Sequence, residues 1–163
     1  MKPFSKIETK YILSILFILL SVTLYNMSIS LRRGRDATRK NDIYSVEKAL
    51  DTYYQKYRTY PLSTVDGKII GCFNEEVDLN VSGQPTNMVV CDWGVSSFEE
   101  IKTMPRDPYS KKGANYLYVS DGQSYEFYVS LEGKDEAEYT ISIHNQNLQC
   151  GNQICNYGRG VKK

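Results

Sequence analysis

The sequence is poor in the side chains that catalyse reactions and bind transition metals. Its 163 residues include one histidine, His144, and four cysteines, with no Cys-x-x-Cys pair among them. Structural zinc sites draw on clustered Cys and His side chains, and no such cluster occurs. His144 has no nucleophile or carboxylate beside it in the sequence, and no glycine-rich phosphate-binding loop is present. We therefore expect neither an enzyme nor a zinc protein.

Charge and proline are absent from a long stretch near the amino terminus. The segment Tyr11–Leu31 contains neither, and Lys10 and Arg32 flank it. A helix of that length spans roughly 30 Å, the thickness of the hydrocarbon core of a bilayer. Every backbone amide of such a helix is satisfied internally. The pattern predicts a transmembrane helix over residues 11–31, preceded by a short, basic, leader-like segment over residues 1–10.

The charged residues are nearly balanced, with a net charge of +1. This balance argues against a specific nucleic-acid partner, because binding to phosphates needs an excess of cations. The local excess at Arg32–Lys40 is interpreted as a collar facing lipid headgroups. The basic end of the chain, Arg159–Lys163, is expected to be disordered.

Residues 32–60 are predicted to continue the helix as an amphipathic segment. Apolar residues recur at helical spacing: Ile43, Val46, Leu50, Tyr53 and Tyr57. Pro61 is expected to end the helix, because the residue before a proline is pushed out of helical geometry.

The carboxyl-terminal part of the chain reads as an antiparallel sheet. Strands are predicted at residues 115–120, 124–131 and 138–143, with Asp121-Gly122 as a hairpin turn between the first two. Tyr125, Phe127 and Val129 alternate onto one face, together with Leu131. The predicted fold class is α+β, with a long amino-terminal helix packed on a small antiparallel sheet within a loop and sheet domain over residues 61–163.

The four cysteines can pair in three ways, and short loops favour Cys72–Cys91 and Cys150–Cys155. Disulfides would place the domain outside the reducing cytoplasm. The flanking charges argue the other way, because the cations after the span outnumber Lys2, Lys6 and Lys10. We expect a single-pass protein of the cytoplasmic membrane with its carboxyl-terminal domain outside.

Two stretches resemble the type IV pilin-like proteins, which include the pseudopilins of type II secretion systems. RDATRKNDIYSVEKALDTYYQKYRTYP, Arg35–Pro61, is similar to the segment that leads from the helix to Tyr-Pro in those subunits. MPRDPYSKKGANYLYVSDGQSYEFYVSLEG, Met104–Gly133, is similar to the Pro-x-Asp-Pro segment and hairpin of pseudopilins. The resemblance implies a structural filament subunit held in the membrane, then exposed at the cell surface or in the periplasm. It also implies three kinds of partner: like or unlike pilin subunits, an assembly platform and a prepilin peptidase.

The resemblance assigns roles to residues near the amino terminus. Phe4 and Glu8 keep the family spacing of the first mature residue and its acidic partner, which implies cleavage between Pro3 and Phe4 followed by methylation of the new amine. Glu8 would then set the axial register by pairing with the amine of a neighbouring subunit. Pro3 stands where the family has glycine, and Lys6 and Lys10 add charge. These departures favour an alternative, a single-span anchored binding domain that never polymerises.

Calcium is the one cofactor that the resemblance suggests. Many pseudopilins bind it after the hairpin, where Asp135, Glu136 and Glu138 offer oxygen ligands. The spacing of these residues matches no acidic calcium-loop motif, so a solvated run of charge is the favoured interpretation.

Overall fold

The computed structural model describes residues 5–73, 78–81, 83 and 85–161. The chain forms two compact units, Met1–Arg35 and Asp36–Lys163. The predicted processing residues Pro3 and Phe4 lie outside the described residues. We call the second unit the head.

Helix α1 runs from Lys6 to Tyr57 and continues through Gly34. It begins five residues before the predicted span and ends before Tyr60. Arg58 terminates it in the left-handed region, at a φ of 57°, while its amide N–H bonds the Tyr54 carbonyl at 2.8 Å. A left-handed residue directly after the last turn is a common way for a helix to end. The helix therefore ends at Tyr57, four residues before Pro61, and the prediction that the proline ends it is wrong.

The predicted apolar stripe of α1 forms the core of the head. Ile43, Val46, Leu50 and Tyr53 are fully buried, and Tyr57 is partly buried against them. The same core contains the aromatic face of the sheet, including Tyr125 and Phe127. The α+β fold, one long helix packed on a small antiparallel sheet, is confirmed.

Within the described part of the chain, eight short strands make up the sheets. The first sheet has the order β1 (Leu62–Ser63), β2 (Ile69–Cys72), β3 (Val89–Val90), and the second has the order β4 (Leu117–Ser120), β5 (Tyr125–Val129), β8 (Tyr157–Val161). The third is the hairpin β6 (Gln149–Cys150), β7 (Gln153–Ile154). All the pairings are antiparallel. The Asp121-Gly122 hairpin between β4 and β5 is confirmed.

The third strand of the main sheet is not the one predicted. Residues 138–143 form no strand, and a short helix, α2 (Ile141–His144), begins within them. Strand β8 lies beside β5 instead, so residues up to Val161 of the expected disordered end are ordered. Gly158 permits this pairing, because a Cβ there would lie 2.4 Å from the Tyr128 ring.

Candidate functional site

The apolar segment of α1 presents its side chains outward. Ile15, Phe17 and Leu24 are each more than half exposed, and no residue of the most apolar window is buried. The helix is long and apolar enough to cross a membrane, which makes it a candidate span. A surface of this size would be unfavourable in water, so it requires lipid or another apolar partner.

Four serine and threonine hydroxyl groups of the same segment need no outside partner. Each bonds a backbone carbonyl one turn earlier in the helix: Ser14 to Tyr11, Ser21 to Phe17, Thr23 to Leu20 and Ser28 to Tyr25, all at 2.8 Å. Such back-bonding satisfies the donor of the hydroxyl inside the helix. The segment therefore suits an apolar environment better than its count of serines suggests.

Glu8 caps its own helix. The Ser5 amide donates to Glu8 Oε2 at 2.7 Å, and the Glu8 amide donates to Ser5 Oγ at 3.2 Å. This reciprocal pair is a capping box, and its signature Ser-x-x-Glu was readable at residues 5–8 but was missed in the sequence. The carboxylate assigned to axial register thus already has a structural use within one chain. The register role stays a prediction.

A buried charged cluster lies at the start of the head. We define the Arg39 cluster as Arg39 with Asp36, Asp107 and Glu132. Arg39 is 2% exposed; its Nε and Nη2 bond the two Asp107 oxygens at 2.8 and 3.1 Å. Its Nη1 bonds Asp36 Oδ1 and Glu132 Oε1, both at 2.8 Å. One guanidinium therefore joins helix α1 to two segments of the head that are far apart in sequence.

The Arg39 cluster has three carboxylates and only one guanidinium, and backbone amides stabilise the excess negative charge. The amides of Glu132 and Gly133 each donate to Asp36 at 2.9 Å, and the Tyr109 amide donates to Asp107 at 2.7 Å. Burial by itself would lower the pKa of Arg39, but the bonds to Asp107 and Glu132 outweigh it and raise that pKa. The guanidinium is therefore held in its charged form.

A fourth carboxyl group, that of Asp42, lies beside the Arg39 cluster and is half-buried. Asp42 accepts a hydrogen bond from the Tyr116 hydroxyl at 2.5 Å. Burial raises the pKa of Asp42; the bond from Tyr116 acts in the opposite direction, and the charge of Asp107 raises it further. Asp42 is thus the acid near the cluster whose charged form is disfavoured.

Lys40 holds two of the carboxylates that were suggested for calcium. Its Nζ lies 2.8 Å from an oxygen of Glu136 and 2.8 Å from an oxygen of Glu138. These bonds raise the pKa of Lys40, and the bond from Lys40 lowers the pKa of Glu138. Among the described residues, no group of three or more His, Cys, Asp or Glu side chains is arranged to hold a metal ion. An ammonium group therefore bonds these two carboxylates.

The prediction that Arg32–Lys40 form a collar facing lipid headgroups is wrong for Arg39 and Lys40. Arg39 and Lys40 point into the head and pair with its carboxylates, so they are not free flanking charges. Arg159 bonds Glu47 of α1 at 3.1 Å, which anchors the end of the chain to the helix. The i, i+3 spacing of Asp36 and Arg39 was the one signal of the cluster in the sequence.

The two disulfides join the pairs that local spacing favoured. Cys72–Cys91 staples β2 to the residue after β3 and lies in the main core, whereas Cys150–Cys155 closes the β6–β7 hairpin. The second disulfide packs against Tyr128, on the opposite face of the sheet from α1. Asp107 and Asp121 also cap turns, the former through the amide of Tyr109 and the latter through the amides of Gln123 and Ser124.

Comparison of the chain with protein-family models, curated proteins and solved structures returns no match. The outward-facing apolar segment, the Arg39 cluster and the two disulfides are therefore the features on which a function has to be built.

Proposed function

We propose that the chain is a structural subunit of a filament of the type IV pilus or type II secretion pseudopilus kind. It is stored in the membrane and assembled through its amino-terminal helix. The observation that carries the proposal is the outward-facing apolar segment, which is continuous in one helix with residues that form the core of a folded head. The subunit has no catalytic role.

The apolar segment suits both a bilayer and a filament core. Lipid tails are about as apolar as leucine side chains, so exchanging lipid for neighbouring helices costs little hydrophobic free energy. Helix packing and interhelical hydrogen bonds then decide the association. The internally bonded hydroxyls at Ser14, Ser21 and Thr23 favour this exchange, because they expose no unsatisfied donor in either environment.

The disulfides support a head outside the cytoplasm, since such bonds persist in oxidising compartments. The charge argument for the opposite orientation is weakened, because Arg39 and Lys40 are neutralised within the head. The resemblance adds an assembly platform and a prepilin peptidase as partners, with methylation of a mature amine at Phe4.

A matched pair of variants tests the register role of Glu8. Glu8→Gln removes the charge but keeps a side chain that completes a capping box. Ser5→Ala removes the box but keeps the charge. We expect Glu8→Gln to lower incorporation into sheared surface filaments by about tenfold, equivalent to about 1.4 kcal/mol. Ser5→Ala should incorporate within about twofold of the unmodified chain, since a cap contributes roughly 1 kcal/mol to helix stability but no register.

Loss of incorporation in both variants would assign Glu8 to helix capping and remove its register role. Absence of the chain from sheared filaments in any form would contradict the filament itself.

The capping box specifically favours the alternative function, a single-span anchored domain that does not polymerise. In that case Glu8 caps its own helix, and Lys6 and Lys10 remain at the interface between the membrane and water. Mass spectrometry of the mature chain distinguishes the two, because a start at Phe4 supports assembly and an intact Met1 supports a permanent anchor.

A further inference from the structure

A cleft of about 750 Å³ opens on the head beside the Arg39 cluster. Its walls come from the turn around Tyr109–Ala114, the residues that follow β5, the region of Tyr139–His144 and the β6–β7 hairpin. Ligand pockets in proteins fall between roughly 300 and 1,000 Å³. The cleft is therefore large enough for several sugar-sized units, and nothing in the proposed filament role uses it.

The walls of the cleft are braced against one another. Cys150–Cys155 closes the hairpin, and the Asn152 side chain donates to the Lys112 carbonyl at 2.6 Å. The buried amide of Asn156 bonds both the N–H and the C=O of Leu131, at 2.7 and 2.8 Å. A site that is held open before binding loses less conformational entropy when a ligand enters.

The lining combines aromatic rings with groups that both donate and accept hydrogen bonds. Tyr109, Tyr139 and His144 contribute rings, and the Tyr139 and His144 rings lie 6.0 Å apart. Gln153 adds an exposed amide. Phenols, imidazoles and amides match ligands rich in hydroxyl groups, because each can bond an oxygen in either sense.

Two ammonium groups give the rim a positive charge. Lys112 and Lys134 line the cleft, are exposed, and form no ion pair with any residue that the structure describes. Lys112 Nζ instead lies 4.3 Å from the centre of the Tyr109 ring. The one arginine that lines the cleft, Arg39, already donates four hydrogen bonds to carboxylates. A phosphate site would favour a guanidinium fork, which is not free here.

We propose that this cleft binds a short acidic saccharide, with a sugar ring against Tyr139 and its carboxylates at Lys112 and Lys134. The site lies entirely within the head, so the proposal stands whether or not the chain forms filaments.

Isothermal titration calorimetry of the full chain tests the proposal. The chain is held in a polyoxyethylene detergent, because a maltoside headgroup is itself a saccharide. Tetragalacturonate is titrated at low and at physiological salt, with maltotetraose as a neutral probe of equal length and inorganic phosphate as a simple anion. We expect tetragalacturonate to bind at about 1 mM or tighter, at least about fivefold better than either control probe.

Neighbouring lysines provide matched variants. Lys112→Gln and Lys134→Gln should each weaken binding about fivefold, the upper end for an exposed charge pair. Lys111→Gln, an exposed lysine that does not line the cleft, should stay within about twofold. Ile154→Trp keeps every charge but fills the cleft, and it should abolish binding while thermal unfolding and both disulfides remain unchanged.

Three results would overturn the proposal. Equal binding of maltotetraose or phosphate would remove the acidic-saccharide specificity. An equal loss in Lys111→Gln would show diffuse electrostatic attraction rather than a site. Absence of tetragalacturonate binding to a chain with intact disulfides and normal unfolding would exclude the cleft as a saccharide site.

Discussion

Replacing Arg39 by methionine should strongly destabilise the head. The substitution keeps an unbranched side chain but removes four hydrogen bonds to three carboxylates, two of which belong to the buried residues Asp36 and Asp107. Removing one partner of a buried ion pair typically costs about 3–5 kcal/mol, because the remaining charge is left uncompensated. For a head of this size the loss corresponds to a fall in midpoint temperature of roughly 10–20 °C.

The assay is unfolding of the full chain in detergent, followed by tryptophan fluorescence. Trp93 is the only tryptophan and is buried in the core of the head, so its signal reports this unit. Arg106→Met is the matched control, because Arg106 is exposed and its loss should stay within about 0.5 kcal/mol. The cost of Arg39→Met should also shrink at acid pH, where protonation removes the unpaired buried charge.

A second substitution tests whether the cost comes from the unpaired carboxylates. Asp107→Asn in the Arg39→Met background should recover about 1 kcal/mol or more, a coupling typical of residues in one network. The reasoning is refuted if Arg39→Met unfolds within about 1 kcal/mol of the unmodified chain at neutral pH. It is equally refuted if Arg106→Met costs as much.

Three further predictions concern the head. Because burial raises the pKa of Asp42 in the folded state, the folded chain binds more protons than the unfolded one between the two pKa values, so this group's contribution to stability falls as pH rises through that window. Asp42→Asn can still accept the hydrogen bond from Tyr116, but it does not titrate, so it should remove this pH dependence. Urea unfolding at pH 4 and pH 7 measures it, and an unchanged difference in the free energy of unfolding between the two pH values would contradict the reasoning. Replacing Cys72 and Cys91 by serine opens a loop with a sequence separation of 19 and should lower the free energy of unfolding by about 3 kcal/mol. Replacing Cys150 and Cys155, with a separation of 5, should lower it by about 2 kcal/mol. Denaturant unfolding measures both, and the reverse order would contradict the loop-length argument. Arg58→Gly should stabilise the head by about 1 kcal/mol in the same assay because glycine adopts the left-handed conformation without strain, whereas Arg58→Ala should give no such gain.

Local patterns predicted the parts of the fold that depend on neighbours in sequence. Helical spacing identified the buried stripe from Ile43 to Tyr53, and strand alternation with Asp121-Gly122 identified the β4–β5 hairpin. Short separations favoured the observed disulfides. Each of these signals lies within about twenty residues, where spacing and turn chemistry carry most of the information.

The features that the sequence did not predict depend on contacts between residues that are far apart in the chain. Arg39 meets residues 68 and 93 positions away, so its charge was read as part of a surface run. Residues 138–143 alternate like a strand, yet the place beside β5 is taken by Tyr157–Val161. That strand carries two glycines, which lower strand propensity in sequence but allow close approach to Tyr128 in the sheet.

Photo-crosslinking in the native cell tests the central claim most directly, with a benzophenone amino acid placed at Phe17 of α1. Phe17 is 71% exposed, and in a filament it would lie among the helices of several neighbouring copies. The account predicts a ladder of covalent dimers, trimers and larger multimers from Phe17, and monomers from the same probe at the exposed residue Lys111. A Phe17 probe that yields only monomers, in cells that make surface filaments, would contradict assembly through the apolar helix.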